Sequence, residues 1–423
     1  VVVIGRAGGS VTAVDARVIV AALAGARAGD AAAVTTAGGS RIAARVMAVE
    51  RGRTLLAPIG DVDGIMPGDR VSLDPGALSA VVGLGLLGRA VAADGSPLDR
   101  GSLPAGVHRA LGAPVSAPAE RTAIADPFWT GVRAIDGPLA FGRGARIGLF
   151  GQAGAGKSTL LESIVAGSCA DATIVALIGE RGREAERWLC RAGARTTIVC
   201  ATADRSPAER VRAADLAFAH AEALRSRGLH VLLVLDSLAR LAGAARELAV
   251  AAGEPAGRGG FPPSVIGRQA RLLERAGAAA GGSITLIATV LVEGPLDGDP
   301  IADAARAALD GHLVLDPRLA AAGWFPAIAL GASVSRTLAD VASPAHLRAA
   351  RLLRGAVATL DATRDARAFG LDPAAGDPAL ARALEAEPAI TAFLRQEPAP
   401  SPAEETLMLL TRIADRLDDG HLR

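Results

Sequence analysis

The chain has 423 residues, half of them hydrophobic, with 45 Lys plus Arg against 44 Asp plus Glu and a net charge of +1. That length leads us to expect two or three domains with an ample core. The near balance of charge excludes a global basic field of the kind that nucleic acid or an anionic membrane surface demands, and no run of about 18 apolar residues escapes a charge or a glycine, so no transmembrane helix is expected.

Val1-Val2-Val3-Ile4-Gly5-Arg6 lacks a basic start followed by a long apolar segment, so no signal peptide is expected. The missing initiator Met points to processing or trimming. Residues 1 to about 78 hold short β-rich runs: 10–14, 41–47, 53–57 and 69–73, parted by glycine-containing turns. This is the pattern of a small closed β-barrel. The first hundred residues contain no Phe, Trp or Tyr on which bases would stack, so the barrel is read as a structural or assembly collar and no nucleic-acid partner is expected.

From about 80 to 145 runs a connector rich in Gly, Pro and Ala. Gly85–Val91 and Asp94–Asp99 in it look like a strand and a tight turn. Next, Ala145–Phe150 reads as a buried strand and Leu160–Val165 as the first turns of a helix. Between them stands Gly151-Gln152-Ala153-Gly154-Ala155-Gly156-Lys157-Ser158-Thr159. Strand, glycine loop and helix are the setting of a phosphate-binding P-loop. Glycines let backbone N–H groups turn inward on phosphate oxygens, and the helix N-terminus adds its positive dipole end. Lys157 is placed to reach β- and γ-phosphates and the Ser158 hydroxyl to ligate Mg²⁺. Lys157 is also the only lysine in the chain. A composition that uses arginine everywhere else has kept a compact ammonium where a planar guanidinium would fit poorly.

Continuous apolar runs follow at 172–178, 195–200, 231–235 and 283–290, with a long helical segment at 207–227. Alternating buried strands and helices indicate a parallel sheet covered on both faces. From about 347 the chain reads as helices, clearest at 349–361 and 403–417. The expected domains are therefore 1–78, 79–346 and 347–423. Cys169, Cys190 and Cys200 are isolated and read as small apolar residues, with a metal or redox role the lesser alternative. The six histidines show no ligand spacing.

Four features carry candidate chemistry. Asp236, after an apolar strand, has the Walker B form that puts a carboxylate beside bound Mg²⁺. Glu180 follows another buried strand, where it either polarises an attacking water or belongs to a solvated, helix-capping charge run. Arg336 is either a surface residue or an arginine finger for a neighbouring subunit. Trp324-Phe325-Pro326 looks exposed; Phe325 either stacks on adenine or sits in the core. The segment 253–263 is too rich in Gly and Pro for regular structure.

Taken together these residues resemble the type III protein-secretion ATPases, the flagellar export and injectisome ATPases, which are themselves similar to the catalytic subunits of rotary ATP synthases. The resemblance covers nearly the whole chain. It rests on Gly60–Ile65, Gly85–Arg89, Thr130–Asp136, Ala176–Glu184, Leu235–Arg240, Gly253–Pro255 with Gly260–Ser264, Leu273–Gly277, Asp299–Asp303, Leu309–His312, Ser333–Arg336 and Ala389–Gln396. Of these, Gly179–Glu184 and Asp299–His312 are the specific ones. The resemblance implies an α/β fold: a small N-terminal β-barrel, a RecA-like P-loop ATPase core and a C-terminal helical domain. It implies a cytoplasmic, Mg²⁺-dependent ATPase, peripheral to the inner membrane, that powers type III protein export by releasing chaperones from substrates and unfolding them.

By the same resemblance Glu180 activates water, Arg181 lies near the nucleotide, Arg336 is the finger given to the next subunit, Phe325 packs on adenine, and residues 253–263 face the channel of a homohexamer. ATP is then held by Gly151, Ala153, Gly154, Ala155, Gly156, Lys157, Ser158 and Thr159, and Mg²⁺ by Ser158 and Asp236. Implied partners are a stator-like negative regulator, a central stalk, chaperone–substrate complexes and the export gate. Departures fall at Ala239, Ala245 and Arg268-Gln269-Ala270, and Asp204-Arg205-Ser206 leans toward the injectisome branch. Three rivals remain: a rotary ATP synthase catalytic subunit, which needs a companion subunit; a Rho-type RNA translocase, which wants an aromatic, basic barrel; and a non-enzymatic nucleotide-binding scaffold.

Overall fold

Six strands, Gly8–Val14 (β1), Ile19–Leu23 (β2), Ala31–Thr35 (β3), Arg41–Glu50 (β4), Arg53–Ile59 (β5) and Arg70–Leu73 (β6), close into a barrel in the order β1-β2-β5-β4-β3-β6. They belong to a computed structural model that describes residues 8–15, 17–112, 117–292, 294, 298–369 and 377–418. The expectation for residues 1–6 lies outside the described residues. Alternation sets the inner face: in β2, Ile19, Ala21 and Leu23 are buried. With Val11, Val34, Val46, Leu56 and Val71 they fill the barrel. The strands β2 and β3 are additional to those read from sequence. Their composition, Ile-Val-Ala-Ala-Leu and Ala-Ala-Ala-Val-Thr, is too alanine-rich to announce a strand by propensity, and barrel closure overrides it.

The connector carries Ser79–Val82 (β7), Ala90–Ala92 (β8) and Val107–Ala110 (β9); β7 pairs antiparallel with β9. A turn closed by Gly95 N–H donating to Ala92 O lies where expected. Pro127–Phe128 (β10) and Phe141–Gly142 (β11) flank the short helix Arg133–Asp136 (α1).

The central sheet adds Arg146–Gly151 (β12), Ala172–Ile178 (β13), Thr196–Ala201 (β14), His230–Asp236 (β15), Gly277–Ala279 (β16), Gly282–Leu291 (β17), Gly311–Val314 (β18) and Val334–Ser335 (β19). The order is β19-β18-β12-β17-β15-β13-β14-β8, with β16 paired outside β17. Pairings from β18 through β8 are parallel; β19 and β16 join antiparallel. Every residue of β13, β14 and β15 is buried, as a sheet covered on both faces requires.

The covering helices are Lys157–Gly167 (α2), Gly182–Arg191 (α3), Pro207–Arg225 (α4), Leu238–Ala251 (α5), Pro263–Leu273 (α6), Pro300–Ala308 (α7), Pro317–Ala321 (α8) and Leu338–Val341 (α9). Helix α4 starts at a complete capping box, Ser206 with Glu209, and Pro207 at its first position. It is buried nearly all round, between the sheet and the connector. Its His220 clasps the two. The Thr197 hydroxyl gives its proton to Leu86 O (2.6 Å), so Nε2–H of the ring donates to Thr197 (3.2 Å) and Nδ1 accepts the Gly83 N–H (3.3 Å). Burial pushes the ring's pKa down to about 3, keeping it neutral.

The C-terminal helices are Pro344–Ala362 (α10), Arg364–Ala368 (α11), Pro378–Leu394 (α12) and Ala403–Leu417 (α13); α10, α12 and α13 pack together. Among the described residues no helix is long and apolar enough to cross a membrane. The segment 253–263 is loop apart from a single turn at Arg258–Gly260, which Arg258 pins to Asp303, and Pro263, which opens α6. All three cysteines are free: Cys200 is buried, Cys169 half-buried, and Cys190 exposed, so Cys190 does not behave as a core residue.

Candidate active site

The loop joining β12 to α2 is shaped by Gly154 (φ +83°) and Gly156 (φ +86°). A Cβ at either would meet no atom within 4 Å, so the left-handed backbone, not crowding, is what demands glycine. Helix α2 begins without a side-chain cap. Its first N–H groups, unsatisfied within the helix, are available to an anion. The loop walls a cavity of about 360 Å³ lined by Ala153, Gly154, Gly156, Lys157, Ser158, Thr159, Glu180, Arg181, Glu184, Arg240 and Leu291.

Three elements converge on this cavity. Asp236 ends β15, and Glu180 lies just past the end of β13, both at the carboxyl edge of the parallel sheet. Lys157 Nζ donates to Asp236 Oδ1 at 2.6 Å and stands 3.5 Å from Glu180 Oε1. Thr289, on β17, donates its hydroxyl to Asp236 Oδ1 at 2.7 Å. Arg240, in the first turn of α5, pairs with the Glu180 carboxylate and donates to Gly179 O at 2.8 Å. Glu180 is only 1% exposed, so it does not belong to a solvated charge run. Burial first, and the charge of Asp236 second, push its carboxyl up to about 7, against the pull of Lys157 and Arg240. A carboxyl poised near neutrality beside a phosphate-sized cavity can accept a proton or orient a water.

Not every residue expected at the site reaches this wall: Asp236, 2% exposed, is held against Lys157 and is not itself in it. Gly151 closes β12, and Ala155 is 1% exposed with its N–H turned to Gln152 O, so both stand behind the loop. Phe325 lines a second cavity, of about 500 Å³, with Arg133, Arg395, Gln396, Glu397 and Ser401. It is half-buried, as is Trp324, not exposed. A third cavity, of about 680 Å³, has Thr159 of the loop in its wall and also Pro398, which sits between Glu397 and Ala399 of the second. Arg336 is exposed, just beyond the edge strand β19, and in none of these walls. Among the described residues no carboxylate pairs with it, and its backbone N–H donates to Asp310 O at 2.9 Å.

The walls between these cavities are fixed by polar side chains. Asp136 is fully buried and accepts from Thr130 Oγ1 (2.7 Å), Thr130 N–H (2.9 Å) and Gly131 N–H (2.8 Å); burial raises it to about 7. Arg133 donates to the carbonyls of Ala392, Phe393 and Arg395 (3.2, 3.0 and 2.6 Å), fastening α1 to the end of α12. Gln396 Oε1 accepts the Arg133 N–H (2.8 Å), and its amide donates to Gly131 O (2.8 Å) and Ala399 O (2.6 Å).

The donor set suits one metal chemistry. The described residues hold no group of three or more His, Cys, Asp or Glu able to cage an ion. One carboxylate, Asp236, and one hydroxyl, Ser158, beside an anion-binding loop fit Mg²⁺, which keeps waters and takes phosphate oxygens.

Three contributors were not singled out from the sequence. Thr289 is one of three hydroxyl residues in a buried strand, with Ser283 and Thr285, and its place near the carboxyl end of that strand was its visible signal. Arg240 follows the helix-capping Ser237 by three residues, placing it on the first turn after Asp236. Gln396 carried no signal beyond its place in a family motif.

Comparison with known proteins agrees with this geometry. Residues 131–335 match the ATP synthase alpha/beta family nucleotide-binding domain, and residues 342–412 match the T3SS EscN ATPase C-terminal domain. The type 3 secretion system ATPase of Pseudomonas syringae pv. tomato is 41% identical over 98% of this chain and 95% of its own length. The flagellum-specific ATP synthase of Pseudomonas aeruginosa is 42% identical over 84% of this chain and 81% of its own. The assembled ATPase EscN of the enteropathogenic E. coli type III secretion system superposes with a TM-score of 0.90, and with its central stalk EscO 0.88, each at 38% identity and covering 96% of this chain and 100% of that one. Barrel, P-loop sheet, helical end and sequence identity over nearly its whole length place the chain in the type III secretion ATPases of the ATP synthase alpha/beta family.

Proposed function

We propose that this chain hydrolyses ATP with Mg²⁺ at the interfaces of a six-membered ring and thereby powers type III protein export, stripping chaperones from substrates and unfolding them. In this reading the barrel, ATPase and helical domains meet near residues 78 and 346. The observation that carries it is the meeting of Lys157, Glu180 and Asp236 beside the P-loop cavity while Arg336 stands in none of the cavity walls described above. A finger that cannot serve its own site is available to a neighbour's.

The roles follow from placement. Gly154, Gly156 and the first turn of α2 cradle the phosphates, and Lys157 exchanges its Asp236 contact for phosphate oxygens. Ser158 and Asp236 hold Mg²⁺, whose bound form neutralises charge on those oxygens. Glu180 orients the attacking water and takes its proton at the carboxylate, with Arg181 beside the nucleotide. Arg336 of an adjacent copy offsets charge developing on the γ-phosphate. Phe325 packs on adenine in the second cavity, reached past Thr159. A central stalk, a stator-like regulator, chaperone–substrate complexes and an export gate at the inner membrane are the partners this function requires.

The test mixes two inactive proteins, Lys157→Ala and Arg336→Ala, in equal amounts. Shared sites give mixed rings that recover activity neither protein has alone, because an intact lysine then meets an intact arginine. A mixture no more active than its parts removes the ring mechanism, whatever the fate of the P-loop assignment.

A further inference from the structure

A cavity of about 510 Å³ lies between the barrel and the ATPase core, lined by none of the residues given a role above. Met47, Ile59 and Leu73 of the barrel face Val211 of α4 and Leu248 of α5 across it. Its volume and apolar wall are those of a small-molecule site. Its polar groups are few: Asp30, Arg45, Arg212 and Asp215.

Among the described residues their pairings leave one cation, Arg45, without a hydrogen-bonded carboxylate or carbonyl. Arg275 is taken by Glu222, at 2.7 and 3.1 Å, and Arg268 by Asp215 at 2.7 Å. Arg212 is spent on three carbonyls, those of Ala93, Ala77 and Ser79, at 2.8, 3.1 and 3.0 Å. Arg45 reaches Asp215 only at 3.7 Å, beyond hydrogen-bond range, and its side chain keeps 37% exposure. Burial, and then the charge of Arg268, pull its pKa down against the weaker hold of Asp215. Its charged form is thus under-compensated where it stands. Asp30, on the same wall, has its Oδ2 turned to the Arg27 N–H at 2.8 Å. Its charge disfavours a dianion, so the complement of this cavity carries a single negative charge.

We propose that this cavity binds a small amphipathic monocarboxylate, its carboxylate on Arg45 and its apolar body between the barrel and α4. The pairing is a forked, charge-assisted one, in a setting drier than bulk water. Occupancy wedges the barrel against α5, the helix whose first turn holds Glu180 through Arg240.

The probe is decanoate, titrated calorimetrically into the full chain, with decanol as the uncharged control; neither readout depends on ATP hydrolysis. Saturable one-to-one binding of decanoate is expected below its micelle-forming concentration. Arg45→Met weakens it roughly tenfold while leaving decanol alone, and Met47→Trp, which fills the wall, removes both. Asp30→Asn tightens decanoate binding, a gain that misfolding cannot mimic. Absence of saturable binding to the unaltered chain overturns the proposal, and so does binding that all three substitutions leave unchanged.

Discussion

Lys157 bridges two carboxylates, one that ends β15 and one just past the end of β13: its Nζ is 2.6 Å from Asp236 and 3.5 Å from Glu180. The only lysine in the chain is therefore the charge that lets two buried acids stand at one site. Lys157→Ala removes it and leaves both acids uncompensated except for Arg240. The expected result is loss of nucleotide binding and hydrolysis, with a fall in stability of about 3 kcal/mol near neutral pH. Urea unfolding should show that fall shrinking as pH drops and Glu180 protonates; a pH-independent loss would mean that the lysine matters to packing alone.

Glu180 sets the acid limb of the reaction. Its carboxyl is pushed up to about 7, chiefly by burial. If it takes the water's proton, kcat/KM falls roughly tenfold per pH unit below that value. Arg240 pulls this pKa down, so Arg240→Met moves the limb to higher pH. Stability runs the other way. A carboxyl raised on folding binds more protons in the native state between its unfolded value and about 7, so its contribution is full at low pH and is lost as pH rises through that window. Glu180→Gln should retain nucleotide binding, abolish turnover and flatten this part of the stability profile.

How much of this was legible depends on whether a local pattern or a distant pairing does the work. The P-loop, the apolar strands ending at Asp236 and near Glu180, and the helix Ala403–Leu417 all announce themselves, because strand–glycine–helix order and apolar periodicity are local. The helix Pro207–Arg225 showed in sequence, but its clasp on the connector through His220 did not, since that pairing spans 137 residues to Gly83. Burial removes the solvated reading of Glu180, and a charged run Glu180–Glu184 hides that burial in the sequence. Strands β2 and β3 were missed because alanine has no β preference and only barrel closure recruits it.

Thr289 donates to the same Asp236 oxygen, Oδ1, that accepts from Lys157, at 2.7 Å. Thr289→Val keeps the shape and removes the donor, leaving a carboxylate free to swing. A residue that orients a metal ligand usually matters about 10- to 100-fold in metal affinity. Titrating magnesium against binding of a fluorescent nucleotide should show a loss of that order, with nucleotide affinity in the absence of metal unchanged. An unaltered magnesium midpoint would sink the assignment of Asp236 to the metal.

Phe325 and the fastening made by Arg133 separate binding from chemistry. Phe325→Ala takes an aromatic face from the second cavity without touching the carboxylates, so KM for ATP should rise roughly tenfold with kcat nearly constant, the mark of uniform binding. Arg133→Ala frees three carbonyls at the end of α12 and should raise KM and also lower the melting temperature. A kcat effect from Phe325→Ala equal to its KM effect would place the base elsewhere.

Arg336 tests the division of labour between copies. It is exposed and follows the edge strand β19, so Arg336→Ala should leave unfolding within about 0.5 kcal/mol of the unaltered chain. Nucleotide affinity should hold as well, because the residue is in no wall of its own cavity. Turnover in assembled rings, in contrast, should fall about a thousandfold or more. Arg336→Lys should recover little of it, since a point charge does not reproduce a planar fork on phosphate oxygens. Single-turnover kinetics on assembled protein reads the chemical step directly. A normal rate there would return Arg336 to the status of an ordinary surface arginine and move the charge needed at the γ-phosphate to Arg181 or Arg240, the arginines already in the cavity wall.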